Sequence, residues 1–154
     1  CRNTAEIPDL IARSAALASI CKVSADELCQ LSGASHWLDA RYYMRDLGCD
    51  TTIISLGAEG ALLITAEGEF LFPAPRVEVV DTTGAGDAFV GGLLFTLSRE
   101  NYWNHALLAE AISNANACGA MAVTAKGARP ALPYPDQLNT FLSSRSLAQA
   151  MTVK

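Results

Sequence analysis

The sequence has 154 residues, of which 51% are hydrophobic, and its formal net charge is −5. This length suits one domain, and the apolar content favours a buried core over a disordered chain. The negative charge argues against nucleic-acid binding through phosphate contacts, and no apolar run in the sequence is long enough to predict a membrane span.

The cysteines and histidines indicate the compartment and argue against a zinc centre. Five cysteines occur without a CxxC pair, at Cys1, Cys21, Cys29, Cys49 and Cys118. Such a set is typical of a reduced, cytoplasmic protein rather than a disulfide scaffold. The only histidines, His36 and His105, lie beside no paired cysteines, so a zinc site is not expected. Because the first residue is a cysteine rather than a methionine, we expect a piece of a longer protein.

Hydrophobic periodicity and turn residues predict alternating helices and strands, hence an α/β class with a mainly parallel sheet. The first half contains a predicted helix within 1–18, a strand at 19–23, a helix at 25–31 with Ser24 and Glu27 as a capping box, a helix at 37–47 and a strand at 51–56. The second half contains a hairpin of 61–65 and 69–72, a strand at 77–80, a helix at 85–97, a helix at 105–122, a loop at 123–130 and a short helix at 135–142. Residues 145–154 are predicted to be a loosely held tail, so the domain is 1–144. Gly91 and Gly92 are predicted to let the helix at 85–97 pack closely on the sheet.

The stretch from Asp81 to Phe89, DTTGAGDAF, combines a predicted strand end, a Gly-Ala-Gly turn and a predicted helix start. Small residues allow a ligand to approach the backbone, and a helix N-terminus favours an anion. Asp87 would repel that anion unless its task is to accept a proton. The dinucleotide fingerprint is absent because Phe89 replaces its third glycine, and the Walker A lysine is absent too. Taken alone, the turn is also compatible with a plain strand-to-helix connection.

The whole stretch resembles the signature of the ribokinase (PfkB) family of carbohydrate kinases, with its fructokinase-like members nearest. Three further segments resemble family motifs in the family's order. They are Lys22 to Glu27, Ser55 to Gly60 and Ala122 to Ala128. Family members are about twice this length, so the resemblance implies the C-terminal part of a three-layer, ribokinase-like α/β/α fold.

The resemblance implies an ATP-dependent phosphotransferase, with Asp87 as the base that accepts the proton of the acceptor hydroxyl. Gly84, Ala85 and Gly86 would form an anion hole with the Asp87 N–H for the transferring phosphoryl group. Asp81 and Thr83 would bind a monovalent cation, K⁺, with the carbonyls of Ala122, Ala125 and Gly127. Asp81 is equally explained as a strand-end cap.

The same resemblance implies a nucleotide site. Lys22 would contact the ATP phosphates, and Glu27 would organise Mg²⁺ through water. Ser55, Gly57 and Gly60 would lie along the ATP, and Asn116 would face the adenine. Three of them have a structural alternative: a solvated lysine for Lys22, a capping box for Glu27 and a helix–helix hydrogen bond for Asn116. Ser24 departs from the family, which usually has asparagine there.

We therefore expect a kinase for a sugar or riboside hydroxyl. Fructose, ribose and an aminoimidazole riboside all remain open as acceptors. The alternative is a non-catalytic nucleotide- or sugar-binding regulator on the same fold. We expect this piece to be inactive alone, because the family's N-terminal half holds most of the acceptor. Neither nucleic acid nor membrane is an expected partner, and a homodimer is expected for the longer protein.

Overall fold

The computed structural model describes residues 7–127 and 132–152, with side chains as far as residue 144. The chain divides into two compact units, residues 1–71 and 72–154. The predictions for residues 1–6, which include Cys1, and for 128–131 lie outside the described residues. In the described part of the chain, none of the helices is long and apolar enough to cross a membrane.

The first unit is built on a sheet with three helices before its second strand. Its elements are α1 (Ile7–Ala15), β1 (Cys21–Ser24), α2 (Ala25–Ser32), α3 (Tyr43–Asp46), β2 (Thr52–Ser55), a 3₁₀ turn (Gly57–Glu59), β3 (Ala61–Thr65) and β4 (Gly68–Phe72). The sheet order is β1-β2-β3-β4, with β1 parallel to β2 and β2 antiparallel to β3. In the described residues the sheet is therefore mixed, with a hairpin following the one parallel crossover.

The core of this unit comes from the β-branched strands and from α2. Leu28, Ile53, Ile54 and Leu63 are fully buried, as expected for strands covered on both faces. The four described cysteines are free thiols. Burial, with Cys49 alongside, raises the pKa of Cys21 to about 12.

The predicted helix at 37–47 is mostly wrong, since only Tyr43–Asp46 is helical. The N–H groups of Asp39 and Ala40 donate to the carbonyls of His36 and Trp37, respectively. Each bond spans three residues rather than the four of an α-helix. The Arg41 guanidinium also donates to the Leu38 carbonyl at 2.6 Å. The backbone here therefore follows turns that are tighter than the i to i−4 bonds of an α-helix.

In its described residues, the second unit contains three helices: α4 (Ala85–Leu97), α5 (His105–Ala122) and α6 (Pro135–Thr152). The bounds of α4 and α5 agree with those predicted from the sequence. Helix α6 runs past the predicted end at residue 142 and through most of the predicted tail, whose Arg, Leu, Ala and Gln residues are good helix formers. The boundary at residue 144 stays a prediction.

The predicted strand at 77–80 is wrong, because these residues lie outside the four strands that the structure describes. Val79 and Val80 are more than half exposed. The N–H groups of Val80 and Asp81 both donate to one carbonyl, that of Val123, at 2.8 and 3.2 Å. Strand propensity reflects packing against paired neighbours, and two bonds to a single acceptor form no ladder.

Helix α4 packs against α5. Its packing on the sheet stays a prediction. A Cβ added at Gly92 would lie 2.8 Å from the Cys118 Sγ, so this glycine permits the close approach. At Gly91 an added Cβ would meet no described atom within 4 Å. Only one of the two predicted packing glycines therefore has that role.

Candidate active site

A tight turn from Asp81 to Gly84 leads directly into α4. The Asp81 Oδ1 accepts a hydrogen bond from the Thr83 N–H at 2.9 Å, and the Thr82 carbonyl accepts one from Ala85 at 3.2 Å. Gly84 is the N-cap and has φ of 82°, in the left-handed region. Glycine adopts that region without the Cβ clash that strains other residues. The small residue is thus required by the backbone itself.

The N-terminus of α4 is open, because no side chain among the described residues caps it. Gly86 and Asp87 stand at its second and third positions, where an α-helix leaves the N–H groups without an intrahelical partner. Both residues are exposed. The positive end of the helix dipole adds to these donors, so the arrangement suits an anion. The Ala85 N–H already donates to Thr82, so Gly86 and Asp87 supply the donors at this end.

Asp87 projects from the first turn of α4, and its carboxylate makes no hydrogen bond or ion pair to another described residue. A carboxylate near the start of a helix is stabilised by the helix dipole in its ionised form. An exposed carboxylate beside an anion-binding turn is suitable as a general base, and that role of Asp87 stays a prediction.

Asp81 connects the turn to the loop that follows α5. Its Oδ2 accepts a hydrogen bond from the Gly127 N–H at 2.9 Å. The hydroxyl and N–H of Thr83, together with the Gly127 N–H, lower the pKa of Asp81. The carboxylate is therefore ionised at neutral pH. The Val123 carbonyl, which accepts from Val80 and Asp81, was not predicted because a backbone acceptor leaves no signal in the sequence.

The residues predicted to bind a cation all belong to the second unit. Asp81 meets Thr83 and Gly127 directly, while Ala122 ends α5 and Ala125 follows in the exposed loop. Among the described residues, no three or more His, Cys, Asp or Glu side chains are grouped so that they could hold a metal ion. A cation here would therefore depend on one carboxylate and on carbonyl oxygens, which are hard ligands.

The predicted phosphate and Mg²⁺ residues lie on β1 and at the start of α2. Ser24 and Glu27 form the predicted capping box: the Ser24 N–H donates to the Glu27 Oε2 at 2.7 Å, and the Glu27 N–H donates to the Ser24 Oγ at 3.2 Å. The hydrogen bonds to Ser24, and then the nearby charge of Lys22, lower the pKa of Glu27. The structural interpretation of Glu27 is thus confirmed, and its contact with Mg²⁺ stays a prediction.

The sheet register brings two of the sequence motifs together. Ser24 is paired with Ser55 at the carboxyl end of the parallel strands β1 and β2. Gly57 and Gly60 follow with φ of 60° and 110°, and the Leu56 N–H donates to the Gly60 carbonyl at 2.8 Å. Ligands bind preferentially beyond the carboxyl ends of parallel strands, so this edge is the favoured place for the predicted nucleotide residues.

Asn116 has a structural contact. Its side chain is 5% exposed, and the Nδ2 donates to the Phe72 carbonyl at 2.8 Å. This bond satisfies a backbone acceptor rather than joining two helices. The predicted contact with adenine stays a prediction.

Comparison with known proteins assigns the family. The pfkB family carbohydrate kinase profile matches residues 2–135. The chain belongs to the pfkB family. The resemblance based on the Asp81–Phe89 stretch is therefore confirmed, and close relatives of this chain are carbohydrate and nucleoside kinases.

One pfkB relative is 91% identical over 152 residues: aminoimidazole riboside kinase from Salmonella typhimurium, with 99% of this chain and 48% of the relative covered. The crystal structure of that kinase from Salmonella enterica with aminoimidazole riboside and an ATP analog matches with a TM-score of 0.89, covering 92% of this chain and 48% of that one. Fructokinase from Vibrio cholerae with fructose, ADP and potassium is 38% identical, with a TM-score of 0.84 and coverage of 92% and 46%.

These matches confirm the prediction that this chain forms part of a ribokinase-like fold. The chain spans about half the length of the pfkB relatives it matches.

Proposed function

We propose that this chain supplies the phosphoryl-donor side and the base of an ATP-dependent kinase for a sugar or riboside hydroxyl. The observation that supports this most is the open N-terminus of α4, with exposed Asp87 in its first turn. Because the chain belongs to a family of carbohydrate kinases, phosphoryl transfer is the reaction that we assign to this geometry. The activity belongs to a protein of the relatives' full length, and we expect this chain alone to be inactive.

In the proposed reaction, the acceptor hydroxyl oxygen attacks the γ-phosphorus of ATP. The bond from that phosphorus to the β,γ-bridging oxygen breaks, and the hydroxyl proton passes to the Asp87 carboxylate. The products are a phosphorylated acceptor and ADP, and Asp87 later releases the proton to solvent. A carboxylate suffices as the base because little proton transfer is needed before the phosphoryl group arrives.

The N–H groups of Gly86 and Asp87 stabilise the negative charge on the transferring phosphoryl group. They are fixed before the reaction by the Gly84 turn, so no reorganisation is needed as charge develops. This role would explain why residues 84–86 are small, because a larger side chain would occupy the space of the phosphoryl oxygens.

The edge formed by β1 and β2 binds the nucleotide. Lys22 neutralises phosphate charge, Ser55, Gly57 and Gly60 line the ATP, and ionised Glu27 organises Mg²⁺ through water. Magnesium, when bound, neutralises the phosphate charge during transfer. The lowered pKa of Glu27 supports this role, because a protonated carboxyl would not attract the ion.

A monovalent cation, K⁺, fits the Asp81 region by the chemistry of its donors. Asp81 is ionised, its two oxygens accept the N–H groups of Thr83 and Gly127, and carbonyl groups follow at Ala125 and Gly127. Asp81, Thr83, Ala122, Ala125 and Gly127 would hold the ion, which would add positive charge behind the anion hole. The potassium-bound fructokinase relative supports the choice of ion.

The acceptor we favour is an aminoimidazole riboside. Identity to the riboside kinase is 91%, against 36–38% for bacterial fructokinases. Fructose and ribose are the alternatives. We further propose a cytoplasmic location and a homodimer for the full-length protein, with no nucleic acid or membrane partner.

The decisive experiment uses a full-length protein that carries this chain. Asp87→Asn removes the base while keeping the size of the side chain, and we expect kcat to fall by about 10²- to 10⁴-fold. ATP should still bind, as measured by calorimetry. Activity is compared on aminoimidazole riboside, fructose and ribose, with Asp136→Asn, an exposed change in α6, as the control.

Unchanged turnover in Asp87→Asn would refute Asp87 as the base. Nucleotide binding without turnover of any acceptor by the wild-type protein would instead favour the regulator. The exposed carboxylate at the anion site speaks against a regulator, because it lowers the affinity for phosphate and a pure binder gains nothing from a base.

A further inference from the structure

The contact between α4 and α5 is unusually close at one residue, Gly92. A Cβ added there would lie 2.8 Å from the Cys118 Sγ, 3.1 Å from the Ala115 Cα and 3.1 Å from the Asn114 carbonyl oxygen. Two of these neighbours are backbone atoms of α5, which cannot rotate away as a side chain can. The spacing of the two helices is therefore set where only a hydrogen atom fits.

A buried hydrogen-bond relay fixes the same place. The Asn114 Nδ2 of α5 donates to the Thr96 Oγ1 at 3.0 Å, and that hydroxyl donates to the Gly92 carbonyl at 3.0 Å. Thr96 has no solvent exposure. The bond to Gly92 lies within α4 and holds the hydroxyl as an acceptor, so rotation of α4 against α5 would break the bond from Asn114. The relay thus fixes how α4 is turned against α5.

The same contact extends to the first turn of α4. A Cβ added at Gly119 of α5 would lie 3.4 Å from the carbonyl oxygen of Ala85, the first residue of α4. Gly92 lies less than two helical turns beyond Asp87, and the intervening helix is continuous. A shift of α4 at Gly92 is therefore transmitted to the donors of Gly86 and Asp87.

We propose that Gly92 and Asn114 are positioning residues for phosphoryl transfer. They touch no reactant, and they hold the N-terminus of α4 in register on α5. The inference rests on the proposed function for its kinetic consequence. The positional part stands on the contacts alone, and it can be tested without activity.

The test compares Gly92→Ala and Gly92→Val with the same two changes at Gly91 in the full-length protein. The Gly91 variants change helix propensity equally, but this residue is exposed and has open space around it. A misplacement of about 1 Å costs roughly 10²-fold, so a shift of a few tenths of an ångström should cost about three- to tenfold in kcat. We expect that loss for Gly92→Ala, a larger loss for Gly92→Val, and KM for ATP within about twofold.

Rescue distinguishes positioning from general damage. Cys118→Ala removes the atom nearest to the added Cβ and should restore part of kcat in Gly92→Ala. Asn114→Ala should lower kcat without a clash, by removing the donor to Thr96. Hydrogen–deuterium exchange of residues 84–90 should accelerate in the Gly92 and Asn114 variants and stay unchanged in the Gly91 variants.

The outcomes separate the two proposals. Absence of kinase activity in the wild type, with accelerated exchange in Gly92→Ala, would remove the proposed function and keep the positional role. A folded Gly92→Val with wild-type kcat and wild-type exchange would overturn the positional role. Equal losses at Gly91 and Gly92 would overturn it as well.

Discussion

The N-termini of α2 and α4 differ in how their backbone N–H groups are satisfied. At α2, the Ser24 hydroxyl and the Glu27 carboxylate satisfy backbone donors in a reciprocal pair. At α4, the N-cap is Gly84, which has no side chain to offer, and Gly86 and Asp87 are exposed. A glycine in place of a serine N-cap costs only about a few tenths of a kcal/mol. The open end is therefore the one where a ligand, rather than the protein, can satisfy the helix donors.

The two helices also differ in the hydrogen bonding of the carboxylate at the third helical position. Glu27 and Asp87 both stand there, but only Glu27 turns back to its own N-cap. An internally bonded carboxylate stabilises the helix, whereas an unbonded one is available to a reactant. The same position in a helix thus serves structure in one unit and, in our proposal, chemistry in the other.

The largest expected effect comes from changing the glycine at the open N-terminus of α4. Gly84→Ala places a Cβ in a left-handed residue at the anion site, and we expect kcat to fall by about 10²-fold or more, as when one oxyanion donor is lost. The strain should also cost about 1–2 kcal/mol in unfolding free energy. Steady-state kinetics and urea unfolding of the full-length protein measure both.

Gly33→Ala is the matched control for Gly84→Ala. Gly33 ends α2 with φ of 75° and has open space around it. It should suffer the same strain and a similar loss of stability, with kcat unchanged. If the two variants lost activity equally, the loss at Gly84 would reflect strain alone, and the contrast between the helix ends would fail.

The next effect comes from opening the closed end. Ser24→Ala removes the side-chain acceptor of the Glu27 N–H, and we expect a loss of about 1 kcal/mol in unfolding free energy. Ser24→Asn keeps a good N-cap and should stay close to wild type. Chemical denaturation of both variants checks the prediction, and equal stability of the alanine and asparagine variants would contradict it.

The sequence was sufficient where a single local rule dominates. The bounds of α4 and α5, the capping box at Ser24 and the hairpin after Gly60 follow from periodicity, caps and turn residues. It was insufficient where the backbone partner decides. Residues 77–80 have strand composition, but the Val80 N–H shares the Val123 carbonyl with that of Asp81 and forms no ladder. In the helix expected at 37–47, the N–H groups of Asp39 and Ala40 instead close three-residue turns.

The same division holds for the candidate site. The motif from Asp81 to Asp87 identified the turn, the anion-binding helix end and the carboxylate from residue types alone. It did not reveal that the Ala85 N–H is already engaged with Thr82, or that Gly92 rather than Gly91 makes the close contact. These facts depend on distances across space, which residue types do not encode.

The smallest expected effect concerns pH and the Glu27 cap. Hydrogen bonds to Ser24 lower the pKa of Glu27 below its ordinary value of 4.5. The ionised carboxylate therefore stabilises the fold above the unfolded pKa, and this contribution is lost as pH falls through the lower, folded pKa. Because Glu27 is exposed, we expect only about 0.3–0.5 kcal/mol.

The measurement is the difference in unfolding free energy between wild type and Glu27→Gln, from about pH 7 down to about pH 3. Glutamine retains the capping hydrogen bond without the charge, so the difference isolates the charge and should vanish in acid. Glu100→Gln, an exposed change between α4 and α5, controls for net charge. A difference that stays constant or grows in acid would show that the Glu27 charge does not stabilise α2, and the two helix ends would then differ in hydrogen bonding alone.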